Sequence, residues 1–127
     1  MDAPQGKTIV IVEDETVLQK ALSIELLSDG IAVFAASNGK AGLELVREKR
    51  PDLVLLDLII PEMKGFDVLA EIKKDPATKD IPVIILSNLS SEDDKKKGVE
   101  LGAADYYVKS STDLSDLSSK VKNLLSK

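Results

Sequence analysis

The chain has 127 residues and a formal net charge of -5, with no cysteine, no histidine and no tryptophan. That length suits one compact domain with its own core, and the missing cysteine excludes disulfides and thiol chemistry. The acidic balance and the scarcity of aromatic side chains disfavour nucleic-acid binding, and without histidine any phosphoryl group handled here must come from another molecule.

The opening stretch, Met1 to Gly6, lacks the basic and apolar regions of a signal peptide. It reads as a frayed lead-in to a cytoplasmic protein. No apolar stretch approaches the ~20 residues needed to span a bilayer, so no membrane contact is expected. Thr8 to Val12 is a buried strand rich in β-branched residues, ending in Glu13, Asp14 and Glu15. Thr16 to Ser28 reads as a helix, with Val17, Leu18, Ala21, Leu22 and Leu26 as its apolar stripe and Asp29-Gly30 as its stop. Ile31 to Ala35 is the next strand. Asn38-Gly39 turns the chain into a second helix marked by Ala41, Gly42, Leu45 and Val46.

Pro51 ends that helix and opens a third strand. Leu53 to Leu56 is an unbroken apolar run, too short for a helix and suited to burial on both faces. It ends in Asp57. Phe66, Leu69, Ala70 and Ile72 mark a third helix that stops near Asp75-Pro76. Ile81 to Leu86 is a fourth strand, ending at Ser87. Glu92 to Leu101 is a charged, lightly packed helix stopped by Gly102. Asp105 to Val108 is a short fifth strand ending at Lys109, and Leu114, Leu117, Val121, Leu124 and Leu125 mark a closing helix. Strand and helix alternate five times, which implies an α/β fold: a parallel sheet with helices on both faces and right-handed crossovers. One domain over residues 1–127, with no effector domain attached, is the expectation.

In a parallel sheet the C-terminal ends of the strands share one edge, and ligands bind there. Glu13, Asp14, Asp57, Ser87 and Lys109 therefore converge on one crevice. Taken singly, each has a plainer explanation. The acids offset a helix dipole, Asp57 caps a strand, Ser87 starts a loop, and Lys109 is a surface lysine. Their joint placement is what points to chemistry. Gathered carboxylates raise one another's pKa unless a cation sits among them. Magnesium suits an all-oxygen site with one or two carboxylates and waters. A carboxylate nucleophile, a metal and two hydrogen-bond donors meet the needs of in-line phosphoryl transfer.

These motifs resemble the receiver domain of two-component response regulators. The marks are Glu13-Asp14, Asp57, the loop Pro61-Glu62-Met63-Lys64-Gly65, Ser87, and Gly102-Ala103-Ala104-Asp105-Tyr106 leading to Lys109. The resemblance runs from about Lys7 to the last helix. It implies a flavodoxin-like strand order of 2-1-3-4-5. It implies that Asp57 accepts a phosphoryl group from a histidine kinase or histidine phosphotransfer protein. Glu13, Asp14, Asp57 and the backbone carbonyl of Ile59 would hold Mg2+, with Mn2+ as a substitute, and Lys109 and Ser87 would bind phosphoryl oxygens. Ser87 and Tyr106 would act as a switch that alters the surface of the fourth helix, fifth strand and fifth helix for a downstream protein. The chain would assist its own phosphorylation without turning over an external substrate.

Three departures from the family pattern stand out. Ser110 replaces the usual proline after the lysine, so a trans Lys109–Ser110 bond and a shifted loop are expected. Asn88 stands where a smaller side chain is usual and narrows access to Asp57. Ile59 and Leu89 are apolar where side chains affect attack of water, which implies a long-lived phosphorylated form. The fifth helix lacks the arginine that some DNA-binding members use in dimer pairing, so a dimer of that type is not expected.

Two rival chemistries fail on residues. A haloacid-dehalogenase-type phosphatase needs an acid two positions after its nucleophile, where this chain has Ile59. A flavodoxin-like flavin carrier needs a phosphate loop where this chain has Glu13-Asp14-Glu15. The alternative that persists is a phosphorylation-independent interaction module on the same fold: the intact acidic cluster and Lys109 argue against it, and Ser110 and Asn88 keep it open.

Overall fold

The computed structural model describes residues 6–27 and 30–126. Of the lead-in only Gly6 is described, and the Ser28-Asp29 end of the first helix lies outside the described residues. The strands are β1 (Thr8–Val12), β2 (Ala32–Ala36), β3 (Leu53–Leu56), β4 (Val83–Ser87) and β5 (Asp105–Val108). The helices are α1 (Thr16–Leu27), α2 (Gly39–Lys49), α3 (Gly65–Lys74), α4 (Glu92–Glu100) and α5 (Leu114–Leu125), with a short 3-10 turn at Lys109–Ser111. All strands pair in parallel, in the order β2-β1-β3-β4-β5. This is the flavodoxin-like arrangement.

Side chains alternate across a strand, and the alternation builds two cores. Ile9, Ile11, Leu53, Leu55, Ile84 and Leu86 face α1 and α5. Val10, Val12, Val54, Leu56, Val83 and Ile85 face α2 and α3. β3 is thus apolar throughout, and β1 and β4 are apolar apart from Thr8 and Ser87 at their ends, because each has helices on both sides. Edge strands β2 and β5 carry more half-exposed positions.

Local chemistry sets the helix starts. The Asn38 side chain accepts the Ala41 N–H at 2.7 Å and the Ser91 hydroxyl accepts the Asp94 N–H at 3.1 Å, both standard N-caps. The stripe read for the first helix needs one correction. Leu22 and Leu26 are buried and Leu18 packs beside them, but Val17 is 84% exposed. Residues four apart share a helix face, whereas neighbours lie about 100° apart, so Leu18 excludes Val17 from the core. In α2 the buried set includes Leu43, while Ala41 and Leu45 are half-buried. Strand β2 begins one residue later than expected, and β4 begins at Val83 and takes in Ser87.

Helix α4 packs as lightly as its sequence suggests: Gly98 is its one buried residue. A Cβ at Gly98 would lie 2.8 Å from Ile85 Cδ1 and 3.2 Å from Tyr106 Cδ2, so glycine lets the helix sit down on β4 and β5. No described peptide bond is cis, so Lys109–Ser110 is trans as expected. Among the described residues, no helix is long and apolar enough to cross a membrane.

Gly65 ties the fold to the carboxyl edge of β3. Its N–H donates to the Leu58 carbonyl at 3.1 Å, and a Cβ there would strike the Asp57 carbonyl oxygen and Leu58 Cα. Backbone cannot yield as a flexible side chain does. Gly65→Ala is therefore expected to cost about 1–3 kcal/mol, read as a lower urea midpoint with an unchanged slope. An unchanged midpoint would contradict this close approach.

Candidate functional site

Register brings the site together. Val12 pairs with Leu56, so Glu13 and Asp57 leave neighbouring strands at the same level. Ser87 pairs with Val108, so Asn88 and Lys109 leave theirs together. The Asp57 N–H donates to the Val12 carbonyl at 3.0 Å, and the Glu13 N–H to the Ala36 carbonyl at 3.0 Å. Ladder bonds thus fix the backbone under both acids. Gln19 of α1 donates to the Glu13 carbonyl at 2.8 Å and pins the loop from the other side.

Lys109 reaches across β4 to the acids. Its Nζ lies 2.8 Å from Asp57 Oδ2, 2.9 Å from Glu13 Oε1 and 3.4 Å from Glu15 Oε2. Asp57 Oδ1 accepts the Ile59 N–H at 3.2 Å, and Glu13 Oε2 accepts the Glu15 N–H at 3.0 Å. Asp57 and Glu13 are buried, while Asp14 is exposed at the mouth. An open cleft is lined by Asp14, Glu15, Asp57, Ile59, Asn88 and Lys109.

The electrostatics follow from that crowding. Burial pushes the Glu13 carboxyl above its ordinary value, and the neighbouring Asp57 charge adds to the shift. Hydrogen bonds from Lys109 and the Glu15 N–H oppose it. Burial alone would lower Lys109, but its hydrogen bonds to Asp57 and Glu13 prevail and hold its pKa above the usual lysine value. Three carboxylates contact one ammonium, and Asp14 adds a fourth acid to the cluster. Carboxylate oxygens of Glu13, Asp14 and Asp57 lie within 4.8 Å of one another. An all-oxygen donor set with excess negative charge fits a hard divalent cation such as Mg2+.

Ser87 and Tyr106 do not line the cleft, whereas Asn88 does. Ser87 is fully buried, and its Oγ accepts the Leu89 N–H at 3.4 Å. Tyr106 is half-buried and donates its hydroxyl to the Leu89 carbonyl. Asn88 lies at the rim, and its Oδ1 accepts the Ser110 N–H at 3.1 Å. Glu15 is the residue that sequence reasoning left out of the site. The signal was its place as third acid in the run after β1.

A family model described as "Response regulator receiver domain" matches residues 9–122. The phosphate regulon transcriptional regulatory protein PhoB of Pseudomonas aeruginosa is 36% identical over 104 residues, covering 82% of this chain and 45% of that protein. The chain therefore spans under half the length of that relative. The phosphorylated cyanobacterial phytochrome response regulator RcpA superposes with a TM-score of 0.81 at 35% identity, over 93% of this chain and 90% of that one. The Mn2+-bound form of response regulator Rcp1 gives a TM-score of 0.79 at 32% identity, over 94% and 92%. With the family match running from β1 into α5, the chain belongs to the response regulator receiver domains, which are signalling modules.

Proposed function

We propose that Asp57 accepts a phosphoryl group from the phosphohistidine of a partner kinase or phosphotransfer protein. One observation carries the reading. A buried carboxylate ends the central strand β3 within 2.8 Å of a lysine and beside two further acids. An Asp57 carboxylate oxygen forms the new P–O bond as the donor's P–N bond breaks, and the imidazole keeps the electron pair. Phosphoryl transfer asks mainly for positioning and charge neutralisation, and ladder bonds, Lys109 and the acidic pair supply both.

Glu13, Asp14, Asp57 and the Ile59 backbone carbonyl would hold Mg2+. When bound, the metal neutralises charge on the transferring oxygens. The Mn2+ in the structure of Rcp1 and the phosphorylated state of RcpA support this reading for a related fold. Lys109 stays protonated and meets the incoming group as a point charge. Ser87 leaves the Leu89 N–H to reach the new phosphoryl oxygens, and that move loosens the loop held by Tyr106. The lightly packed α4 and its neighbours β5 and α5 then present an altered surface to a downstream protein. The chain is a signalling domain that modifies itself and performs no turnover on an outside substrate. Ile59 is 60% exposed at the cleft. Its apolar side chain cannot orient a water, which favours a long-lived aspartyl phosphate.

Incubation with Mg2+ and a small acyl phosphate is expected to add one phosphoryl group to the native protein by intact mass. Asp57→Asn should add none, and equal labelling of both would overturn the assignment.

Magnesium should stabilise the fold by mass action, by about 2.7 kcal/mol at a hundredfold excess over its Kd. Thermal melts of Asp14→Asn should show less than half of that gain. The metal-free variant should be no less stable than the native protein, because one repelling charge is gone.

Burial, then the charges of Asp94 and Asp57, push the Tyr106 phenol up from 10.0 to about 12. A group raised on folding stabilises the fold below its unfolded value, and that contribution disappears as pH climbs through the folded value. Stability owed to Tyr106 is therefore full below pH 10.0 and fades through about 12. An alkaline absorbance titration should show a tyrosine step near 12 that Tyr106→Phe removes.

A further inference from the structure

Two departures from the family pattern, Asn88 and Ser110, meet each other. Ser110 keeps the backbone N–H that a proline would lack, and it donates to Asn88 Oδ1 at 3.1 Å. The two residues sit on different connections. Asn88 follows Ser87 at the end of β4, and Ser110 follows Lys109 beyond β5. The bond therefore joins two loops at the mouth of the cleft that holds Asp57.

An asparagine amide has one acceptor end and one donor end. With Oδ1 engaged by Ser110, the donor end is defined as Nδ2, and it donates to no other described residue. The surroundings give that donor a task. Of the residues lining the cleft, Asp14, Glu15 and Asp57 are acids and Ile59 is apolar. Lys109 and Asn88 are the lining side chains that can donate a hydrogen bond. Ser87, the other donor expected from the sequence, is fully buried and does not line the cleft before it moves. A phosphoryl group on Asp57 brings three acceptor oxygens into this cleft.

We propose that the Asn88 side-chain amide, aimed by the Ser110 N–H, donates through Nδ2 to an oxygen of the phosphoryl group on Asp57. Asn88 is then a binding residue for that group rather than an obstruction to it, and Ser110 is its positioning residue. The inference rests on the reading of Asp57 as phosphoryl acceptor. Physically, the Ser110 bond orders the amide before the anion arrives, so less side-chain entropy is lost on binding. The new bond is charge-assisted, since the acceptor oxygen is ionised.

The test uses the full chain with Mg2+ and beryllium fluoride, a tetrahedral stand-in for a phosphoryl group, titrated by fluorine NMR. Native protein should bind it, and Asn88→Ala should bind about tenfold more weakly. The Mg2+ affinity of the free protein should change far less than that, whereas a merely structural role for Asn88 would weaken both; the thermal midpoint should fall by no more than the loss of one exposed hydrogen bond allows. Asn88→Asp retains an acceptor for the Ser110 N–H but has no donor, so it should lose at least as much. Ser110→Pro removes the aiming bond, and adding Asn88→Ala to it should cost nothing further. Native-like binding by Asn88→Ala or Asn88→Asp would overturn the inference, as would full additivity in the double variant, while leaving the role of Asp57 intact. Failure of the native protein itself to bind beryllium fluoride would instead overturn the phosphoryl-acceptor reading and this inference with it.

Discussion

Everything at the carboxyl edge depends on the ammonium of Lys109 lying between carboxylates from β3 and β1. The contact spans the sheet: β5 supplies the lysine, β4 is crossed, and β3 and β1 supply the acids. The side chains involved are 10%, 5% and 3% exposed, so water screens them poorly. At about 4 Å and an effective dielectric near 20, such a pair is worth roughly 4 kcal/mol before desolvation. An exposed pair such as Lys95–Glu92 at 3.9 Å contributes about 0–1 kcal/mol. Desolvation offsets much of the larger figure. The contact is therefore better understood as fixing geometry than as stabilising the chain. One positive charge among four acids also leaves the site short of cations, which is why a divalent ion fits the chemistry of the donor set.

Much of this was legible in the sequence, and the parts that were not have physical reasons. β1, β3 and β4 announced themselves as apolar runs because both faces are covered, and each ends in a chemically useful residue. Strand order was not legible from the residues, since parallel crossovers fix handedness but leave several orders open; the family resemblance supplied it. Val17 was misplaced in the core because hydrophobicity alone does not say which of two adjacent residues faces inward. Glu13, Asp14, Asp57 and Lys109 do meet at one edge, because residues just past parallel strand ends must share it. Glu15 was missed because its approach to Lys109 depends on a loop conformation, set by the Glu15 N–H folding back onto the Glu13 carboxylate. The meeting of Asn88 and Ser110 was not legible at all. Each departs from the family pattern on its own, but their bond joins residues 22 apart, and no local pattern marks it.

The segment from Ser87 to Leu89 is where a change at Asp57 has the shortest route outward. Three hydrogen bonds fasten it: Leu89 N–H to Ser87 Oγ, Tyr106 hydroxyl to the Leu89 carbonyl, and Ser110 N–H to Asn88 Oδ1. Two of the three partners flank Lys109 on the neighbouring strand end. Helix α4 follows directly, and only Gly98 anchors it in the core. Low burial makes a segment inexpensive to displace.

Magnitudes decide whether such a segment can act as a switch. A neutral hydrogen bond contributes about 0.5–1.5 kcal/mol, and one to a charged group about 1.5–3. Reversing a population from 1:99 to 99:1 takes about 5.5 kcal/mol of differential binding. One charge-assisted bond cannot supply that. Three formed together, about 4.5–9 kcal/mol, can, even after one or two neutral bonds around Leu89 are given up. A receiver with this loop therefore needs several donors on the same anion to switch fully. Were Asp57 to take a phosphoryl group, Lys109 would supply one such bond and the Ser87–Leu89 segment the others. The same short stretch of chain would then both sense the anion and carry the displacement to α4.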